Sequence, residues 1–376
     1  MWRAVPALHV TGGTAFPGCA RLTCLFDTGW RACATKLKNF SRPRWIIADL
    51  GRLKGARVLI TGGAGMIGST IAHQAVALGA RVTILDAMLP LYGGNRFNLQ
   101  GILEQIEFIE GDIRDLDLMR RVVPGYDYIF NLAGQVSYVD SNTEPLLDLE
   151  INCKGHLQVL EACRLENPQA RLLFASSRFV YGRIEYNPVD ENHPFNCLSI
   201  YGIHKLAGEK YYRFYHEAYG LNTVSVRIAN PYGPRQQMKH SKYGILNWFV
   251  RLALMGQPLT VFGDGQQRRD YIYNEDLAEA CIVLLLSSGT EGRVYNLGSG
   301  TGAPFIEMAH LVAEAVPGTE VREVPWPQDR YFVETGDYLS DITRITAASD
   351  WAPKTALKDG IGRTVAYYRE HRKEYW

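Results

Sequence analysis

Residues 58–68 read Val58-Leu59-Ile60-Thr61-Gly62-Gly63-Ala64-Gly65-Met66-Ile67-Gly68. A short apolar run ends in glycines and passes into an amphipathic stretch with Ile67, Ile71, Ala75 and Leu78 on one face. That pattern reads as strand, tight loop and helix. Gly79 stands where a helix C-terminus favours glycine. In a G-x-x-G-x-x-G loop the glycines let the backbone turn sharply and approach a pyrophosphate, while the helix N-terminus offers amides and a partial positive charge. Gly62, Gly65, Met66, Ile67 and Gly68 are therefore candidate cofactor contacts. The next buried run, Val82-Thr83-Ile84-Leu85, ends at Asp86. A carboxylate there can accept from both ribose hydroxyls and opposes a 2′-phosphate, which favours NAD over NADP.

Outward from this unit the strand and helix patterns alternate. Further candidate strands are Ile106–Ile109, Tyr128–Phe130, Leu172–Phe174 and Thr223–Ile228. Strands separated by helices imply right-handed βαβ units and an α/β fold with a doubly wound parallel sheet, a Rossmann domain. Beyond Asn230 the alternation becomes irregular, which predicts a smaller mixed α/β substrate lobe. The expected organisation is a poorly structured extension over 1–44, a cofactor domain over 45–229 and a smaller lobe over 230–376, with segments near 270–300 returning to the first domain.

Tyr201-Gly202-Ile203-His204-Lys205 places a phenol and an ammonium on one helix face, because residues four apart are neighbours there. An unperturbed tyrosine titrates near pH 10, so service as a base at neutral pH needs roughly 4 kcal/mol of anion stabilisation. Lys205 and a positive nicotinamide ring are the expected sources. Ser177, at the end of the strand containing Ser176, would donate to the substrate oxygen and help pass the proton. His204 and His156 are read as surface or subunit-contact residues.

Composition narrows the classes. Forty Lys+Arg against 39 Asp+Glu leave a net charge of +1, with 47% hydrophobic and 21% charged residues. No global field draws such a chain to nucleic acid, and no apolar run approaches the roughly 20 residues that span a bilayer. Seven cysteines without a CxxC pair or a zinc-like Cys/His spacing point to reduced thiols in the cytoplasm and no metal site. Residues 1–44 carry Arg3, Arg21, Arg31, Lys36, Lys38, Arg42 and Arg44 against Asp27 alone. A loose extension is the favoured reading; a transit peptide, weakened by scarce serine, and a functional arm are the alternatives.

Several segments together resemble the extended short-chain dehydrogenase/reductases that act on nucleotide sugars. They are Gly111-Asp112-Ile113, Asn131-Leu132-Ala133-Gly134, Asn152, Ser176-Ser177-Arg178-Phe179-Val180-Tyr181-Gly182 and Arg227-Ile228-Ala229-Asn230-Pro231-Tyr232-Gly233-Pro234. Pro258–Gly265, Arg269-Asp270-Tyr271 and Tyr295-Asn296-Leu297-Gly298 extend the likeness from about residue 50 to the C-terminus. UDP-glucose 4-epimerase and its relatives are the nearest in motif. The resemblance implies cofactor contacts at Asp112, Ile113, Ala133, Gly134 and Asn152, besides Tyr201 and Lys205. It implies substrate contacts at Ser177, Asn230, Thr260, Phe262 and Arg269, with Arg330 a candidate second phosphate contact. It also implies a homodimer through the helix bearing Tyr211, Phe214 and Tyr215.

The resemblance further implies which reaction to expect. The 4,6-dehydratases of this family carry an Asp-Glu pair directly after the catalytic hydroxyl residue, and related decarboxylases keep a Glu nearby. Arg178 and Phe179 stand there in this chain, so both reactions are disfavoured. Arg178 is expected either to meet an acidic sugar or to turn to solvent. The leading expectation is NAD-dependent epimerisation of a nucleotide sugar, at C4 of a UDP-hexose, through a transient 4-keto sugar with Tyr201 as base. A nucleotide-sugar reductase or dehydrogenase and a non-catalytic nucleotide-sugar-binding member are the alternatives.

Overall fold

The computed structural model describes residues 49–90, 92–326 and 335–376. The extension expected over 1–44 and the candidate contact Arg330 lie outside the described residues.

The strands in chain order are β1 (Arg57–Thr61), β2 (Arg81–Asp86), β3 (Ile106–Glu110), β4 (Tyr128–Asn131), β5 (Arg171–Ser177) and β6 (Asn222–Ile228). They continue as β7 (Asn230–Tyr232), β8 (Leu259–Phe262), β9 (Arg268–Tyr273), β10 (Arg293–Leu297), β11 (Gly302–Pro304) and β12 (Val321–Val324). The helices are α1 (Met66–Ala77), α2 (Leu116–Val122), α3 (Tyr138–Thr143), α4 (Pro145–Leu149), α5 (His156–Glu166) and α6 (Ile200–Tyr219). They continue as α7 (Ile245–Leu254), α8 (Asn274–Leu286), α9 (Phe305–Ala315), α10 (Thr343–Ser349) and α11 (Leu357–His371).

Seven strands form one parallel sheet in the order β10-β6-β5-β4-β1-β2-β3. Both faces are covered, and this is why β1 reads as a continuous apolar run rather than an alternating one. Val58 and Ile60 pack on one side with Ile71 of α1 and Leu277 of α8, while Leu59 packs on the other with Val159, Leu172 and Tyr212. Strand β10 is the seventh strand, reached after the chain has left the sheet through β7, β8 and β9. Two small sheets, β11-β9-β7 and β12-β8, lie outside the main sheet. Around them Tyr232, Phe249, Leu259, Val261, Met308 and Ile361 form a separate apolar cluster.

The strand order reverses between β1 and β4: from β1 the chain runs outward to β2 and β3, and from β4 the other way. Such a switch point leaves a crevice at the carboxyl ends of the strands. Two glycines allow the loops to meet there. Gly62 has φ +67°, and a Cβ on it would lie 2.7 Å from the Ala133 nitrogen after β4. A Cβ on Gly68 would lie 2.4 Å from the Gly62 carbonyl oxygen, so only glycine lets the first turn of α1 pack on the loop. No helix among the described residues is long and apolar enough to cross a membrane.

Candidate active site

A cavity of about 680 Å³ opens over the switch point and extends to the small sheets. Gly62 and Gly65 line it from the loop after β1, Met66, Ile67 and Gly68 from the first turn of α1, Asp86 from β2, Asp112 and Ile113 from the loop after β3, and Ala133 and Gly134 from that after β4. Ser177, Tyr201 and Lys205 line the same cavity, as do Asn230, Thr260, Phe262 and Arg269.

The residues at the cofactor end are held by local bonds. Asp86 accepts from the Ala64 amide at 3.0 Å and the Met88 amide at 2.9 Å, one on each oxygen. Burial raises its carboxyl above the usual range, and those two amides partly offset the effect. For Asp112, burial works upward but bonds from Arg114, the shortest at 2.6 Å, hold the carboxyl below its usual range. These residues fit a dinucleotide: a glycine loop opening a helix, a carboxylate at the end of the following strand and apolar Ile113 on the cavity wall.

Ser177 and Tyr201 meet because the turn after β5 packs on the start of α6. Ser177 caps the short turn Arg178–Val180, and Ser199 caps α6 by accepting from the Gly202 amide at 3.1 Å. A Cβ on Gly202 would sit 2.5 Å from the Phe179 carbonyl oxygen, so the contact needs glycine. The Ser177 hydroxyl hydrogen-bonds the Tyr201 phenol. Lys205 Nζ donates to the Ala175 carbonyl at 3.0 Å and lies 5.8 Å from the Tyr201 ring centroid. Burial pushes Tyr201 up to about 12, with the Ser177 bond pulling the other way. Burial pushes Lys205 down to about 8, with Asp148 and Cys153 opposing it. Desolvation dominates at both groups.

Other placements differ from the sequence reading. Asn152 does not line the cavity. It sits in a π-helical turn, Glu150–Gly155, fully buried beneath the lining, and donates to the Gln135 carbonyl at 2.9 Å. His156 is fully buried rather than on the surface: its Nδ1 accepts from Asn131 Nδ2 at 3.1 Å, its ring packs edge-on to Phe174, and burial drives its pKa well below the usual value. His204 turns inward and donates from Nδ1 to Asp148 at 2.5 Å. Tyr215 is buried with its hydroxyl on Glu161, whereas Phe214 on the same helix is exposed.

Arg178 does not turn to solvent. It is buried, with Nε donating to Asn230 Oδ1 at 3.1 Å and Nη1 to Thr335 Oγ1 at 3.2 Å, over the rings of Phe179 and Tyr338. Asn230 Nδ2 donates in turn to the Asp270 carbonyl at 2.7 Å, so both ends of its amide are engaged. An aromatic wall of Tyr92, Tyr138, Phe179, Tyr243 and Trp326 also lines the cavity and was missed as such. Tyr138 stacks on Phe179 at 5.1 Å, and Phe179 meets Tyr201 edge-on at 5.8 Å. They come from separate segments of the chain, and no spacing in the sequence signals that they meet.

The depressed Lys205 predicts a pH effect with a definite sign. Between pH 8 and its ordinary 10.5 the unfolded chain holds a proton that the folded one has released, so stability contributed by this group rises with pH. In cofactor-stripped protein the wild type should gain roughly 2–3 kcal/mol over Lys205→Met between about pH 8 and 10. Denaturant titrations at the two pH values check it; parallel changes in both proteins would contradict the assignment.

Comparison with known proteins agrees with this geometry. Residues 58–298 match the model of the NAD dependent epimerase/dehydratase family. UDP-glucose 4-epimerase of Mycolicibacterium smegmatis is 33% identical over 321 residues, covering 83% of this chain and 98% of that protein. A dTDP-glucose 4,6-dehydratase of Streptomyces niveus is 32% identical over 326 residues, covering 84% and 94%. The crystal structure of Thermus thermophilus UDP-glucose 4-epimerase in complex with NAD superposes with a TM-score of 0.73 at 34% identity, covering 83% of this chain and 99% of that one. The cofactor is NAD, and the chain belongs to the NAD-dependent epimerase/dehydratase family of extended short-chain dehydrogenases/reductases.

Proposed function

We propose that the protein is a nucleotide-sugar 4-epimerase acting on a UDP-hexose. One observation carries this reading within a family that also contains dehydratases. Among the described residues lining the cavity the only carboxylates are Asp86 and Asp112, both at the cofactor end. Eliminating water across C5 and C6 needs an acid and a base beside the sugar, and the positions after Ser177 hold Arg178 and Phe179 instead. Epimerisation through a 4-keto sugar needs no such pair.

NAD, when bound along Gly65, Asp86 and Lys205, supplies a reversible hydride acceptor and a positive ring. Tyr201 then takes and returns the proton of the sugar's O4, and Ser177 holds that oxygen through the hydroxyl it shares with the phenol. The raised phenol needs added positive charge to ionise, which the bound nicotinamide would supply together with the Lys205 ammonium, 5.8 Å from the Tyr201 ring centroid. Thr260, Phe262 and Arg269, on β8 and β9, anchor the nucleotide end, so that the ketose can turn over and receive the hydride on its other face.

Assembly as a homodimer belongs to the same reading. Leu146, Ile203 and Phe214 are 75%, 50% and 53% exposed on α4 and α6, which pack together. Exposed apolar side chains on adjoining helices favour a second copy. Sedimentation should give a dimer at micromolar concentration; a monomer there would count against it.

The direct test incubates the protein with UDP-, GDP-, CDP- and dTDP-hexoses and analyses the products. A UDP-hexose should yield its C4 epimer, with deuterium placed at C4 retained at C4 and no net absorbance change near 340 nm. Tyr201→Phe should lower turnover by at least about a hundredfold while nucleotide-sugar affinity stays within a few-fold. A 4-keto-6-deoxy product or stoichiometric NADH would overturn the proposal.

Asp86→Asn should relax discrimination against NADP by roughly tenfold or more, because repulsion of the 2′-phosphate is removed. Competition binding of NAD and NADP to stripped protein measures it. Tighter binding of NADP by the wild type would show that Asp86 does not set the preference.

A further inference from the structure

Asp148, on α4, has no solvent exposure, and a carboxylate so buried is tolerated only when donors satisfy its oxygens. Oδ1 accepts from His204 Nδ1 at 2.5 Å and Oδ2 accepts from Asn152 Nδ2 at 3.0 Å. The two donors come from the two elements that frame the reactive centre: His204 directly precedes Lys205 on α6, and Asn152 lies in the π-helical turn under Gly134.

The bonding leaves each group one orientation. A carboxylate only accepts, so the imidazole proton sits on Nδ1 of His204. Asn152 Nδ2 faces two acceptors, Asp148 Oδ2 and the Gln135 carbonyl, which turns its Oδ1 the other way. That oxygen is buried without a hydrogen-bond partner among the described residues. It shares the face of Gly134 with the lysine: a Cβ built on Gly134 would lie 2.9 Å from Asn152 Oδ1 and 3.1 Å from Lys205 Nζ.

We infer that Asp148 and His204 are positioning residues for the proton-transfer centre, a buried carboxylate–imidazole clamp that fixes the Asn152 amide and the Lys205 turn of α6 against one another. The inference rests on the reading of Tyr201 and Lys205 as the reactive pair. The same carboxylate favours the charged form of Lys205 and disfavours that of Tyr201, so the clamp also places a negative charge within reach of both. A clamp made only for packing would need neither a polar bond nor a particular tautomer.

Three variants test it: His204→Ala removes the donor, His204→Asn restores one near the Nδ1 position, and Asp148→Asn leaves one of the two donors without an acceptor. With the nucleotide sugar the wild type turns over, His204→Ala should lose roughly 10- to 100-fold in kcat, as a modest misplacement of reacting groups does, with KM within about threefold. His204→Asn should recover kcat to within about threefold of wild type. A kcat for His204→Ala within twofold of wild type, or a His204→Asn as impaired as the alanine variant at equal Tm, would overturn the proposal. A second readout needs no substrate. In protein labelled with 15N-histidine, the His204 signal should show a protonated Nδ1 that is lost or moved in Asp148→Asn. An unprotonated Nδ1, or a signal unchanged in Asp148→Asn, would overturn the clamp even if no nucleotide sugar is turned over, an outcome that would instead refute the epimerase reading.

Discussion

Everything in the site is referred to the point where β1 and β4 part. Thr61, the last residue of β1, donates from its hydroxyl to Asn131 at the end of β4 at 2.6 Å and accepts from the Ala133 amide at 3.3 Å. The cofactor loop and the loop bearing Gly134 are thereby tied at their roots. Asn131 in turn donates to the Tyr212 hydroxyl at 2.6 Å and to His156. Tyr212 lies on α6 three turns after Tyr201, so the helix carrying the reactive pair is registered on the same strand end. A shift of α6 would break a fully buried amide's bonds, and an unsatisfied buried polar group costs about 1–3 kcal/mol.

A second buried network fixes the opposite wall. Arg227 on β6 makes a bidentate pair with Glu209 of α6 at 2.9 and 2.7 Å, and Ser176, beside Ser177, donates to the same carboxylate at 2.5 Å. Arg227 also donates to the Tyr181 hydroxyl, which donates to Asn296 of β10 at 2.5 Å. Taking such a pair out of water offsets much of its attraction, so its value lies in geometry more than in net stability. Every member is satisfied, and the pair locks the end of β5, helix α6 and the late strand β10 into one arrangement.

Strands β1, β4 and β5 were legible because burial on both faces writes them as short apolar runs, and β1 to β6 extend the expected runs by one to four residues at most. The glycine loop and the Tyr201–Lys205 spacing were legible for a similar reason: local geometry demands those residues at those separations. What was not legible depends on partners distant in the chain. His156 and His204 have the same helical setting on paper, yet one meets Asn131 and the other Asp148, and nothing local announces either acid or amide. Tyr215 and Phe214 are adjacent in sequence and point opposite ways, one onto Glu161 and the other to solvent. Arg178 reads as a solvent-seeking cation until Asn230 and Thr335, more than fifty and a hundred and fifty residues away, close around it. Asn152 matched a motif but lies under the cavity wall, where its amide donates to Asp148 and to the Gln135 carbonyl.

The electrostatics of the reactive pair follow from burial acting with opposite sign on an acid and a base. In water the phenol and the ammonium titrate close together, at 10.0 and 10.5. In the folded protein desolvation parts them, to about 12 and about 8, so the neutral forms of both are favoured across the interval between. Closing that gap takes charge rather than contact. A negative group near the lysine raises it, and Asp148 does so; a positive group near the phenol lowers it. The chain thus supplies a rigid, desolvated frame in which an added positive charge acts with little solvent screening. On the proposed reading of Tyr201 as the base, a bound nicotinamide would supply such a charge, and proton movement at the phenol would then depend on occupancy of the cofactor crevice.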